Sequence, residues 1–368
     1  MSPRLILALV LALVVPTACT DQARERESPG AGAPKQPGSS QTSPRADSSQ
    51  QNGRESLLYL EGRTIRSLDL TTGAQETLGR LPSVDAVSAP GGRSIAYVVA
   101  AEPGEGHEDF VADPELHVRD VQTGSDVTIG PGFSPLWSPD GRHIAYLESS
   151  ESRVCEGETC SGLVSVVVAD VVGEERRTLL EEGGWVLLGW LADRLVVTDR
   201  ASSSKALVVD DAGRSEDLGL VASEFWGASP DGAWIVEQTD TKSTLLLTGG
   251  GTPEKRLLDT GDRILAQGAW APSSDRLAAV LLPTPCCGGA SELGLVSLEG
   301  GVEVVPGSRG AEGPVIWGPA SDRLVYARAA GKGGLRLEAV HCDLAGGEDC
   351  TSLFSWPRGV ALLAITDL

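Results

Sequence analysis

The chain has 368 residues, of which 41% are hydrophobic and 22% charged, with a formal net charge of −21 and seven cysteines. So acidic a chain argues against nucleic acid as a partner, because phosphate binding relies on Lys and Arg to displace counterions. Its length allows one large domain or two small ones beyond any leader.

Residues 1–18 place Arg4 before an unbroken apolar run from Leu5 to Val15, followed by Pro16, Thr17, Ala18 and then Cys19. Charged, apolar and small-residue regions in that order read as a secretory signal peptide. The run is too short to span a bilayer, which takes about 20 residues. Small residues directly before Cys19 resemble the lipobox of bacterial lipoproteins, in which the cysteine is diacylated and becomes the new N-terminus. Pro16 stands where that family usually has leucine. The resemblance implies lipidation of Cys19, and with it export and anchoring on the outer face of the cytoplasmic membrane. Cleavage after Ala18 to give a soluble secreted protein is the alternative.

Setting Cys19 aside leaves six cysteines in three local couples: Cys155 with Cys160, Cys286 with Cys287, and Cys342 with Cys350. An even set suits disulfides in an oxidising compartment, and local pairing is the expectation among fifteen connectivities. Residues 19–55 form the next segment, rich in Ser, Gln, Pro, Gly and Arg and almost free of large apolar side chains. Such a composition predicts a disordered tether with a root-mean-square span of roughly 30 Å.

Residues 56–368 carry a repeat. WSPDGRHIAY from Trp137 reads as a strand end, a Pro-Asp-Gly turn and a second strand. Related segments are SAPGGRSIAY from Ser88, WLADRLVV from Trp190, ASPDGAWIV from Ala228, WAPSSDRLAAV from Trp270 and WGPASDRLVY from Trp317. A period near 40–50 residues filled with short strands is the mark of propeller blades. These segments resemble the WD-like repeats of TolB-like β-propeller proteins over most of residues 56–368. The resemblance implies an all-β propeller and protein interaction in the cell envelope, without naming a partner.

LLYLEG, IRSLDLTTG and ETLG precede the first repeat as three strands lacking a first one, and GVALLAI after Trp356 reads as a lone first strand. Joining them predicts seven four-stranded blades with a composite closing blade. Six blades, with the tail packed elsewhere, is the alternative.

Catalytic motifs are missing from this pattern. There is no G-x-S-x-G elbow and no phosphate-binding G-x-x-x-x-G-K-[ST] loop. His107, His117, His143 and His341 are scattered along the repeats with no repeated spacing. No catalytic residue is assigned and no cofactor is required.

The first 55 residues hold six Lys or Arg and five Asp or Glu, so 24 positive and 46 negative groups remain in the propeller. The acid is concentrated between second and third strands. One insertion holds Glu102, Glu105, Glu108, Asp109, Asp113 and Glu115, and that of the next blade holds Glu148, Glu151, Glu156 and Glu158 beside the Cys155–Cys160 couple. Equivalent loops share a propeller face, so these residues are candidates for a surface that docks a cationic partner. Ca²⁺ is the metal such carboxylates would take, although no D-x-[DN]-x-[DN]-G loop is present. Cys286 and Cys287 lie in PTPCCGG at the same blade position, as a vicinal disulfide or as two thiolates for a soft metal.

The sequence therefore favours a lipid-anchored scaffold that binds another envelope protein or a small ligand. An enzyme of hydrolase or lyase type using the axial funnel is the second reading. It would need carboxylates or histidines at the inner ends of the first strands, where the chain has Ala86, Val87, Pro135, Leu136, Leu188, Ala269 and Ile316, with Glu224 and Gln267 as polar exceptions. A sensor or assembly component is the third.

Overall fold

A computed structural model describes residues 55–83, 86–99, 114–156, 159–200, 204–239, 243–247, 255–283, 290–330, 336–345, 349–357 and 360–367. In chain order, β1–β3 are Glu55–Glu61, Thr64–Asp69 and Gln75–Arg80. The first blade, β4–β7, follows at Ala86–Ser88, Ser94–Val99, Glu115–Asp120 and Asp126–Pro131. The second, β8–β11, comprises Phe133–Trp137, His143–Glu156, Thr159–Asp170 and Arg176–Gly183. The third, β12–β15, comprises Trp185–Leu191, Arg194–Asp199, Lys205–Val209 and Ser215–Val221. The fourth, β16–β19, comprises Phe225–Ala228, Trp234–Gln238, Ser243–Leu247 and Lys255–Leu257. The fifth, β20–β23, comprises Arg263–Trp270, Arg276–Pro283, Glu292–Ser297 and Val302–Val304. The sixth, β24–β27, comprises Ala311–Trp317, Arg323–Ala330, Arg336–Asp343 and Asp349–Pro357, and β28 is Val360–Asp367. The only helical element among the described residues is the 3-10 turn Ala222–Glu224.

Every sheet is a four-stranded antiparallel meander, and the seventh has the order β28-β1-β2-β3. β28 pairs antiparallel with β1 from Val360 opposite Glu61 to Asp367 opposite Glu55. The lone C-terminal strand thus supplies the innermost strand of a composite blade, and the fold is a seven-bladed β-propeller. First strands of successive blades pack on one another, β28 on β4, β4 on β8, β8 on β12, β12 on β16, β20 on β24 and β24 on β28.

The core is divided in the same way, with one cluster in each space between neighbouring blades. Leu57, Val325 and Ile365 meet between the sixth and closing blades, and Ala96, Trp137 and Tyr146 between the first and second. Second strands are covered on both faces, and Leu195, Val196 and Val197 are all fully buried. Their near-continuous apolar runs follow from that sandwiching.

The tryptophans explain the repeat. Trp137 donates its indole N–H to the Val87 carbonyl at 3.1 Å, Trp190 to Leu136 at 3.2 Å and Trp317 to Ala269 at 2.7 Å, each time on the first strand of the preceding blade. The fourth blade lacks a tryptophan at that position, and Trp226 instead donates forward to Ala266 at 3.1 Å. The indole buries a large apolar surface while its N–H is satisfied by a neighbour's backbone.

The turns between first and second strands are built as the sequence suggests. Gly141 and Gly232 hold φ of 68° and 69°, a region open to glycine without steric cost. In the fifth and sixth blades, where Pro-Asp-Gly is absent, Ser274 and Ser321 occupy that place at φ 61° and 62°. Their hydroxyls accept backbone N–H bonds from the preceding blade's turn, from Asp231 at 3.1 Å and Ser273 at 3.0 Å. The departure from glycine is offset by a bond between blades.

Candidate functional site

Up-and-down strand order divides the loops between two faces. Turns joining first to second and third to fourth strands lie on one face. Loops joining second to third strands, and successive blades, lie on the other. The pairing of Glu55 with Asp367 puts the entry into β1 on the first-to-second turn face. The elaborated loops occupy the opposite face.

Of the predicted binding residues, Glu115 opens β6 as an exposed side chain whose carboxylate lies 3.5 Å from Nε2 of His117. Glu102, Glu105, Glu108, Asp109, Asp113 and Glu158 lie outside the described residues, as do Cys19, Cys286, Cys287 and His107. The second acidic insertion is no loop up to Glu156. β9 and β10 continue as paired strands to Thr159 opposite Glu156, with Cys160 in register with Cys155. The same cross-strand register holds Cys342 opposite Cys350, and there the sulfurs are bonded. Glu148 belongs to the blade and forms an ion pair with Arg176.

The axis is apolar. Ala86, Pro135, Leu136, Leu188, Ala269 and Ile316 are half-buried on the first strands, and Val87 is 39% exposed. Glu224 lies in the 3-10 turn before β16, and Gln267 packs its amide against Gly313 of the next blade, so the two polar exceptions belong to different blades. No three His, Cys, Asp or Glu side chains among the described residues converge as a metal site. His143 is exposed at the start of β9, and His117 stacks on Tyr97 with ring centroids 5.3 Å apart.

One chemical pattern was not read from the sequence. All four tyrosines sit on second strands of consecutive blades: Tyr326 in the sixth, Tyr59 in the closing, Tyr97 in the first and Tyr146 in the second. Each lies beside an arginine and a carboxylate, respectively Arg328 and Glu338, Arg66 and Glu61, Arg119 and Asp126, and Arg176 and Glu148. Tyr97 donates to Asp126 at 2.8 Å, and burial together with that bond pushes its phenol up to about 12. Burial would raise Asp126, but bonds from Arg119 and Tyr97 hold it below the usual carboxylate range. Burial raises all four phenols above the ordinary tyrosine value, and whereas Tyr97 is bonded to Asp126, the hydroxyls of Tyr146 and Tyr326 are buried without a hydrogen-bond partner. The shared spacing in SIAY, HIAY and RLVY was the available signal.

A second cluster of charged and titratable groups lies where the ring closes. Arg323 forms an ion pair with Glu55, tying the sixth blade to the first residue of β1. His341 lies in the field of Glu55, Arg323, Asp343 and Asp322, and Nε2 is buried without a hydrogen-bond partner. Burial pushes this imidazole below its ordinary value.

No family model matches the chain, and no curated protein does. Among solved structures it is similar to the β-propeller domain of the trilobed protease from Pyrococcus furiosus, at TM-score 0.52 and 17% identity over 79% of this chain and 89% of that one. Prolyl oligopeptidase B from Galerina marginata matches at TM-score 0.56 and 12% identity over 80% of this chain and 48% of that enzyme. TolB from Acinetobacter baumannii matches at TM-score 0.46 and 15% identity over 85% of this chain and 67% of that one. The chain thus spans about half the length of the peptidase. The Pyrococcus furiosus domain has an open velcro topology, whereas pairing of β28 with β1 closes this ring. The strand order, with the matches to the trilobed protease domain and to prolyl oligopeptidase B, establishes a closed, seven-bladed β-propeller.

Proposed function

We propose that the protein is an exported, lipid-anchored propeller scaffold that docks another protein of the cell envelope on the face opposite its tether. The observation behind this reading is the antiparallel pairing of Glu55 with Asp367, which sets the tether's exit on the first-to-second turn face. The paired extension of β9 and β10 leaves the propeller on the other side. A head held by residues 19–55 then presents that extension away from the membrane. The run Leu5–Val15 and the small residues before Cys19 support export and lipidation.

Fractionation and mass spectrometry of the N-terminal peptide test the anchoring. The expected species begins at diacylated Cys19 and sediments with membranes, and Cys19→Ser releases it. A wild-type chain that is soluble and unmodified refutes the anchor. Crosslinking in intact cells tests the docking, and a partner is expected on the β9–β10 side. Crosslinks confined to the first-to-second turn face refute it.

A further inference from the structure

The second blade has a limb that the others lack. β9 and β10 run for 14 and 12 residues, against five to eight in the second and third strands of the other repeat blades. β8 supports β9 as far as Phe133 opposite Leu147, and β11 supports β10 as far as Val164 opposite Gly183. Beyond Ser149 the two strands pair only with each other among the described residues, through Gly162 opposite Arg153, Cys160 opposite Cys155 and Thr159 opposite Glu156. From Ser149 to Glu156 this ribbon reaches about 23 Å at 3.3 Å per residue.

A two-stranded ribbon standing alone is marginal in water, and its outer edges present unpaired N–H and C=O groups that template a further strand. Resting on the docking function proposed above, we infer that this arm receives an extended, cationic segment of a partner protein by strand addition, with main-chain hydrogen bonds supplying affinity. The sign of the partner follows from the charge of the limb. Glu148 is already neutralised by Arg176. Beyond it the sequence of the two strands holds Glu151 and Glu156 against the single Arg153. A second copy of the arm would bring the same negative charge alongside, and like charges on adjacent strands oppose pairing. Lysine or arginine on the incoming strand complements it.

The test uses the whole chain in detergent and a fluorescent eight-residue peptide of alternating Lys and Val. Because Ser149 pairs with Val164, residues 150–163 can be replaced by Asn-Gly, a two-residue loop suited to a hairpin of that register. Matching circular dichroism and melting temperature for this shortened protein establish that the propeller is retained. The Lys-Val peptide is expected to bind the full protein and to lose at least tenfold in affinity for the shortened one. A Glu-Val peptide, and a Lys-Val peptide N-methylated at alternate residues, are expected to lose as much against the full protein. Equal binding by the N-methylated peptide reduces the interaction to charge attraction and overturns strand addition. Unchanged binding to the shortened protein, or no binding to the full one, overturns the arm as the site. Those results leave the crosslinking test of docking to stand or fall separately.

Discussion

Closure of the ring rests on β28, and its removal is the most demanding test of the architecture. Ile365 is 1% exposed and Leu362 7%, and their pairing partners Leu57 and Tyr59 are 0% and 4% exposed. Truncating Ile365 to Ala removes buried volume that neighbouring blades cannot refill, at a cost of about 2–5 kcal/mol. Over a head of roughly 310 residues, an unfolding entropy of about 2.1 cal/mol/K per residue converts this to a fall of about 3–8 °C in melting temperature. Deleting residues 360–368 removes four buried side chains, of which Leu362 and Ile365 are worth about 1.5–3 kcal/mol each, and bares the edge of β1, a large fraction of a total stability of about 5–15 kcal/mol. That truncated protein is expected to melt far lower, with a smaller urea m-value, or not to fold. Ala361→Ser, at an exposed place on the same strand, is the control. Circular dichroism melts and urea titrations read all three. A deletion protein melting within a degree of the full chain refutes closure by β28.

Three further expectations concern stability. Trp137→Phe and Trp317→Phe each leave a carbonyl of the preceding blade without its donor and should cost about 1–2 kcal/mol, whereas Trp270→Phe, whose indole N–H is buried without a partner, should cost no more than about 0.5 kcal/mol; equal effects in urea titrations would contradict the stitching role. Cys342→Ala with Cys350→Ala opens a loop of sequence separation 8, and loop entropy sets the loss at about 2.5 kcal/mol; the comparison is the melting temperature with and without reductant. The third is pH dependence at His341. Burial keeps its folded-state pKa below the unfolded value of about 6.5, so the unfolded chain binds the proton more readily. Its contribution is intact above about pH 6.5 and is lost as the pH falls from there toward the folded-state value. His341→Gln should flatten the stability profile in that window, and an unchanged profile would remove His341 as the cause.

The repeat period was legible because the blades repeat the same local decisions: an apolar second strand covered on both faces, a tight turn before it in the six continuous blades, and an indole at the end of the first strand in the second, third, fifth and sixth. GVALLAI could be assigned to the closing blade from strand arithmetic alone, since three strands were missing a first. Contacts that cross between blades were not legible. Nothing local to Ser274 or Ser321 says that its hydroxyl replaces glycine's freedom with a bond to the preceding blade's turn. The paired extension of β9 and β10 was hidden for a different reason. Glu151, Arg153, Glu156 and Glu158 lack the apolar alternation that marks a half-buried strand, because beyond Ser149 no other strand of the blade pairs with the ribbon. The Cys342–Cys350 bond was anticipated from spacing, whereas His341 gained its environment only when Glu55 was brought to the sixth blade.

The pairing of β1 with β28 also sets how the head bears load. Tension on the chain N-terminal to Glu55 is applied at the start of β1 and runs along that strand, which is held by β28 on one side and β2 on the other. The hydrogen bonds of both ladders lie across the direction of pull and are loaded together in shear, not opened one after another like a zip. The ion pair between Glu55 and Arg323 fastens the point of attachment to the sixth blade as well. A head held through this end resists extraction with two strand interfaces at once.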